Sequence, residues 1–501
     1  MQAGWMNRRH FLSALGLSAT ACALPRRAFG LAAPDLAHDT DRPEYHFIAP
    51  RNWMNDPNGP IWWKGEYHLF YQWSPDSPTG GPVHWGHATS ADMVHWRHLP
   101  FALAPTPGTA DRDGCWTGSA VVRDGVPTVI YTGVVHQLAA ENGGNEWRQA
   151  QMLATAEDSG LLRWKKLPEP VIAAPPQGEA ATGFRDPCPW REDDGWYLAV
   201  GSGERDKGGC VLLYRSQDLR HWEYLHPLIH GNSTANPAPD SVDRGDMWEC
   251  PDFFEVSGQH CLLYSSENKV SWATGEYDRG EHKFTIKRQG VLDHGGTAYY
   301  APKSFRTPDG RRILWGWVRE MRSQSEFAAA GWAGAISLPR VLTIGAQGQL
   351  EMNPAVELEK LRGEVRRIAL KPGEPFSQKL TTLRQELRAP MNLLSPGSLT
   401  VRLLANGRKR WELSVDVAAN AVRCGEANFP LPSLPWPRPT LRLFLDGSVI
   451  EAFVGEREAI TSRVYGLKPG ETELEITLTG KKSIELQMWP LDAISSDRLT
   501  T

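Results

Sequence analysis

Three carboxylates in this sequence stand in settings that could do chemistry. Asp56 lies in Asn-Trp-Met-Asn-Asp-Pro-Asn-Gly, residues 52–59. Pro57 and Gly59 cannot continue regular structure, so the acid can be presented at a strand end with little side-chain freedom, as a nucleophile requires. Asp-Pro-Asn-Gly is also the composition of an ordinary turn. Recurrence favours the chemical reading, because acids return in similar short settings at Phe184-Arg185-Asp186-Pro187 and at Trp248-Glu249-Cys250-Pro251-Asp252. Two carboxylates flanking a glycosidic bond are the minimum apparatus for its hydrolysis with retention, one attacking the anomeric carbon and one alternating as acid and base. Asp186, next to Arg185, is expected to stay ionised and hold substrate hydroxyls. Glu249, between Trp248 and Cys250, is expected to have a raised pKa suited to a proton donor. The plainer alternatives are an Arg185–Asp186 structural ion pair and Glu249 as an ordinary strand-end acid.

These acids must be positioned by a repeat. Over residues 45–345 units of about 60 residues recur, each opening with a strand-like motif: Met54 to Pro60, Cys115 to Ser119, Phe184 to Pro187, Trp248 to Asp252 and Tyr299 to Pro302. Each opening is followed by a second apolar strand, such as Tyr67 to Tyr71 or Trp196 to Val200. A third element repeats almost literally, Ser90-Ala91-Asp92-Met93-Val94-His95-Trp96 against Ser216-Gln217-Asp218-Leu219-Arg220-His221-Trp222, with a looser form from Asp158 to Trp164. Short strands separated by turn residues, with almost no helical periodicity, predict an all-β fold: a five-bladed β-propeller over 45–350 whose first strands line one axis. Asn353 to Leu361 has apolar residues at helical spacing and predicts a linker helix within 351–365. Alternating strands over 366–495, including Leu441 to Leu445 and Ser448 to Val454, predict a β-sandwich.

The chain has 501 residues, enough for more than one domain, and 21 Trp, which suits stacking against sugar faces although all-β cores also use indoles. Residues 1–30 read as a twin-arginine export signal: Arg8-Arg9 followed by an apolar, small-residue run from Phe11 to Leu24, too short to span a membrane. Lipidation at Cys22 is a further option, disfavoured by Ala19. Of 54 basic residues four lie in this segment and none of the 58 acids does, leaving 50 against 58 in an exported, mildly acidic protein with no electrostatic reason to bind nucleic acid. The six later cysteines form no Cys-x-x-Cys pair and no metal-ligand spacing, so neither metal nor cofactor is expected; single buried thiols are expected, with one disulfide left open.

Asn52 to Gly59, Phe184 to Pro187 and Trp248 to Asp252 resemble the nucleophile, Arg-Asp-Pro and Glu-Cys motifs of glycoside hydrolase family 32, the invertases, inulinases, levanases and related fructosyltransferases. Phe70-Tyr71-Gln72, His84-Trp85-Gly86-His87, Gly114 to Ser119, Gly331 to Gly334, Leu338 to Arg340 and Asp446 to Phe453 agree as well. The resemblance runs from about residue 45 to the C-terminus. It implies Asp56 as nucleophile, Glu249 as acid/base and Asp186 as transition-state stabiliser, acting on β-fructosyl bonds of sucrose or fructans. It also implies that Asn55, Gln72, Trp116 and Arg185 line the fructose subsite; Trp85, Thr117 and Trp317 complete the candidate substrate-binding set. Thr117 stands where the family usually has Ser. The stretch Trp73-Ser74-Pro75 then Gly80-Gly81 departs further, since an indole that usually walls the fructose pocket is missing at Gly80. Either Trp73 or Trp85 replaces it or the pocket is wider. A fructosyltransferase would use the same three acids. A non-catalytic carbohydrate-binding propeller should have lost at least one of them, and an arabinanase-like propeller should lack both the Asn-Asp-Pro-Asn-Gly motif and the sandwich.

Overall fold

The computed structural model describes residues 34–138, 146–178, 180–231, 245–266, 268–392, 394, 396–431 and 439–496. The expected export signal, with Arg8, Arg9 and Cys22, lies outside the described residues. Five sheets form the blades of a propeller, and their innermost strands are Asn52–Trp63, Gly114–Arg123, Ala181–Glu192, Glu249–Val256 and Tyr299–Arg306. These five pack side by side in a ring, each against the next and the last against the first. The ring is also tied by hydrogen bonds: Trp332 and Ala333, from beyond the second strand of blade five, pair in parallel with Asn52 and Trp53 of blade one.

The near-literal repeat has a local cause. Asp92 Oδ1 accepts the backbone N–H of His95 at 2.9 Å and Val94 at 3.2 Å, while the Trp96 indole donates to the Met93 carbonyl at 3.0 Å. Asp218 does the same for Arg220 and His221, with Trp222 on Leu219, and Asp158 serves blade two, with Trp164 on Leu161. Each is a carboxylate-capped turn that lets Met93, Leu219 or Leu161 hold a positive φ while an indole pins the loop to the sheet.

The chain departs from the sequence reading after blade five. Asn353 and Pro354 are not helical: they end the strand Leu350–Pro354, where Asn353 lies opposite Val341. Only Val356–Leu361 coils, as a 3₁₀ turn that buries Leu358 and Leu361. Beyond it two six-stranded antiparallel sheets share one apolar core containing Leu387, Val401, Leu413, Leu443, Ile450 and Ile476, a β-sandwich.

The sandwich docks through a buried charged cluster. Asp446 accepts the backbone N–H groups of Glu44, Tyr45 and His46 at 2.7–2.8 Å. The His46 ring bridges Asp446 Oδ2 at 2.8 Å and Glu451 Oε1 at 3.0 Å, and Arg340 reaches Glu451 Oε2 at 2.6 Å and Asp293 at 2.9 Å. Buried charges of this kind are tolerated only when each is paired and hydrogen-bonded, and these are.

Candidate active site

All five innermost strands break register against the second strand of their blade at the same level. Two residues, Asn55-Asp56, Trp116-Thr117, Asp186-Pro187, Cys250-Pro251 and Ala301-Pro302, oppose one residue on the neighbouring strand. A bulge bends a strand and re-aims its side chains, and five of them at one level turn the ring's inner surface into a ring of functional groups. The strain falls on the first bulged residue in three blades, where Asp186, Cys250 and Ala301 have φ of 66°, 50° and 48°.

Counted from the bulge, the three acids are not equivalent. Glu249 immediately precedes it, Asp186 is its first residue and Asp56 its second. Three similar blades therefore place their carboxylates at successive steps along the strand.

Asp56, fully buried, is held by a closed ring of side chains. Asn55 Nδ2 donates to Asp56 Oδ1 at 3.0 Å and to Gln72 Oε1 at 2.6 Å. Gln72 Nε2 donates to Thr117 Oγ1, whose hydroxyl donates to Asp56 Oδ2 at 2.5 Å. The substitution of Thr for Ser thus keeps the hydrogen bond. Cys250 wedges between two carboxylates: its Sγ lies 3.5 Å from Asp56 Oδ2 and 3.3 Å from Asp186 Oδ2, which also accepts the Cys250 backbone N–H at 2.9 Å. Asp186 is completely enclosed, and its own N–H goes to Thr132 Oγ1 at 2.8 Å.

Glu249 has different company. Arg185 Nη2 and Nε donate to Oε1 at 2.7 and 3.1 Å, and the Tyr300 hydroxyl donates to Oε2 at 2.6 Å. Arg185, Glu249 and Tyr300 occupy the same pre-bulge position in three consecutive blades, which is why they meet. This changes two expectations. The Arg185 side chain hydrogen-bonds Glu249, while its Nε stays 4.0 Å from Asp186 Oδ2, at the limit of an ion pair. The surroundings of Glu249 are polar rather than apolar, and both donors favour its carboxylate form. Burial and the Glu249 charge push Tyr300 well above its ordinary pKa, so its hydroxyl remains a donor.

The candidate aromatic residues divide. Trp116 sits at the bulge of blade two, its ring 5.4 Å from Trp147. Trp317 packs edge-on to Trp53 at 5.8 Å. Trp85 does not line the pocket: it has no exposure, packs among Phe70 and Tyr131, and donates its indole N–H to the Trp116 carbonyl at 2.9 Å, so it supports the pocket from behind. Of the two proposed replacements for the missing indole, Trp85 is committed behind the site and Trp73 donates its indole N–H to the Arg51 carbonyl at 3.0 Å. Gly80 itself has φ 99°, a backbone conformation that favours glycine.

Sequence reasoning missed four contributors. Trp53 donates to Asn55 Oδ1 at 3.0 Å and so orients the amide that holds Asp56. Tyr300 was visible as part of the fifth repeat opening, at the position that corresponds to Glu249. Gln149 accepts from Arg185 Nη1 at 3.3 Å and from the Phe184 N–H at 2.7 Å, and Trp147 backs Trp116; nothing in their local sequence marks them.

A propeller whose inner strands bring three carboxylates to one level of its axis, beside indole rings and a fixed array of hydrogen-bond donors, has the site of a glycoside hydrolase. The N-terminal domain model of glycosyl hydrolases family 32 matches residues 46–354 and the family's C-terminal model matches 388–490; the chain belongs to that family, whose members act with retention. A sucrose-6-phosphate hydrolase of Escherichia coli is 35% identical over 87% of this chain and 92% of that protein. A raffinose invertase of Escherichia coli is 35% identical over 84% and 89%. Among solved structures, a Bombyx mori family 32 beta-fructofuranosidase superposes with a TM-score of 0.77 at 29% identity, covering 91% of this chain and 95% of that one. Fructan 1-exohydrolase IIa from Cichorium intybus, solved with 1-kestose, gives 0.75 at 28% identity over 91% and 98%.

Proposed function

We propose that the enzyme releases fructose from terminal β-fructosyl bonds, with Asp56 as nucleophile, Glu249 as acid/base and Asp186 as the charge that steadies the transition state. The observation that carries this reading is the division of labour in hydrogen bonding. Asp56 is fixed at both oxygens by a ring of neutral side chains, which leaves it aimed. Glu249, by contrast, is held by one cation and one phenol that can yield to a proton.

In the first step Asp56 attacks C2 of the fructosyl unit as the C2–oxygen bond breaks, and protonated Glu249 gives its proton to the departing oxygen. Asp186, within reach of the same pocket, offsets the positive charge that develops on the ring. In the second step Glu249 takes a proton from water as the water oxygen attacks C2, the ester to Asp56 breaks, and fructose leaves with its original configuration. Sucrose and fructans are the substrate class, in keeping with the related enzymes and with the indoles of Trp53, Trp116 and Trp317 near the carboxylates.

Following the reaction by NMR tests this directly. Sucrose, inulin or levan should yield β-fructose first, and Asp56→Asn should abolish turnover without lowering Tm; α-fructose as first product would overturn the double-displacement reading. We further propose that the enzyme is exported through the twin-arginine route on Arg8 and Arg9. Changing both to Lys should trap activity inside the cell, and activity still appearing outside would remove that assignment.

A further inference from the structure

Past the site residues the same five innermost strands line a cavity of about 680 Å³ that opens to solvent. That is ample for a small ligand. Its lining holds five cations, Arg191, Arg279, Lys303, Arg306 and Arg312, against three acids, Glu192, Asp252 and Glu255, a positive surplus in a chain of formal charge −4. Arg279 is taken up by Glu192 at 2.7 Å and Glu255 at 3.3 Å. Arg191 lies over the Trp196 ring at 5.5 Å. For Lys303, Arg306 and Arg312, all on blade five, the one lining acid left is Asp252.

Asp252 is already committed. Ser304 gives it a backbone N–H at 2.9 Å and a hydroxyl at 2.5 Å, and the Cys188 thiol lies at 3.5 Å. Lys303, almost fully buried, donates to the Pro251 carbonyl at 2.8 Å. Arg312 lies over the Phe254 ring at 4.0 Å and uses Nε on Ser304 Oγ at 2.8 Å, but among the described residues its two Nη groups have no hydrogen-bond acceptor. Arg312 is only partly buried and lines the cavity, so this planar fork is free for the contact it makes best, a two-pronged one to an oxyanion.

We propose that this cavity binds a compact oxyanion of charge two or more, of the phosphate or phosphate-monoester class, held by Arg312 from within, Lys303 beside it and Arg306 from the rim. A positive cavity with low-dielectric walls concentrates such anions against the charge of the whole protein. The site is separate from the carboxylate mouth and does not depend on the reaction assigned there.

The test is calorimetric titration of the intact protein with inorganic phosphate at ionic strength held constant with sodium chloride. Saturable one-to-one binding is expected in the wild type and in Asp56→Asn, undiminished by saturating sucrose in the latter. Arg312→Gln should weaken it at least tenfold. Arg306→Gln, at an exposed position where folding is not at risk, should weaken it at least threefold, and it alone decides the matter if Arg312→Gln does not fold. No saturable binding in the wild type, affinity unchanged by these variants, or displacement of phosphate by sucrose would each overturn the proposal.

Discussion

Arg185 grips Glu249, 64 residues away in the chain, and not the aspartate beside it: Nη2 and Nε lie 2.7 and 3.1 Å from Glu249 Oε1, against 4.0 Å from Nε to Asp186 Oδ2. The contact crosses from blade three to blade four, and Tyr300 closes on the same carboxyl from blade five at 2.6 Å. The acid/base therefore works between a cation and a phenol, each delivered by the strand position that delivers Glu249 itself.

A cation and a hydrogen-bond donor both favour the charged carboxylate, so removing either favours the protonated acid. Arg185→Gln should move the basic limb of the kcat/KM profile, which reports the acid in the unliganded enzyme, to higher pH, and Tyr300→Phe should move it the same way by less. The maximum rate should fall in both, by on the order of 10²-fold for Arg185→Gln, which also disturbs the pocket wall. A basic limb that stays in place or moves to lower pH would mean that another group donates the proton.

A pH dependence of a different kind resides where the sandwich meets the propeller. Burial pulls the pKa of His46 down, but its hydrogen bonds to Asp446 and Glu451 and their charges outweigh burial, and the net shift is upward from 6.5. A raised folded-state pKa stabilises fully below the unfolded value, and that stabilisation is lost as pH rises through the folded one. Burial pushes Glu451 up, but Arg340 and His46 hold it below 4.5, so its contribution is present above that value and lost on acidification. Thermal unfolding across pH 5 to 9 should show Tm falling on the alkaline side in the wild type. His46→Gln should lower Tm at pH 6 and flatten that slope. An unchanged slope would place the alkaline sensitivity elsewhere.

The blade openings were legible because a bulge writes itself into sequence. The second bulged residue is Pro187, Pro251 and Pro302 in three blades, and a residue without an N–H suits a place where the ladder is already interrupted. The acids were found for the same reason, since each adjoins such a break. Their partners were not, because Arg185 meets Glu249 and Cys250 meets Asp56 across blades, and adjacency in sequence argued for Arg185 with Asp186 instead. Trp85 misled in another way: its motif lies beside the pocket, but its side chain faces the interior. The helical spacing over Asn353 to Leu361 was real only from Val356, where Leu358 and Leu361 turn inward; before it the pairing of Asn353 with Val341 prevailed.

The missing indole at Gly80 leads to a prediction that separates strain from fit. The loop carrying Gly80 leans on the start of the nucleophile strand, where Ser77 accepts the Trp53 N–H at 3.3 Å and Pro75 accepts from Asn52 Nδ2. With φ at 99°, any side chain at Gly80 strains this loop, at a cost of roughly 1–3 kcal/mol, so Gly80→Ala and Gly80→Trp should both lower Tm. The informative comparison is between the two variants, which share the strain and differ only in the ring. Trp73 and Trp85 are engaged elsewhere, on the Arg51 and Trp116 carbonyls, so an indole at position 80 is expected to meet substrate rather than either ring. Stacking and apolar contact worth on the order of 1–2 kcal/mol should then give Gly80→Trp a KM for sucrose about five- to thirtyfold below that of Gly80→Ala. A KM for Gly80→Trp above that of Gly80→Ala would show the space to be occupied, the ring then acting by overpacking.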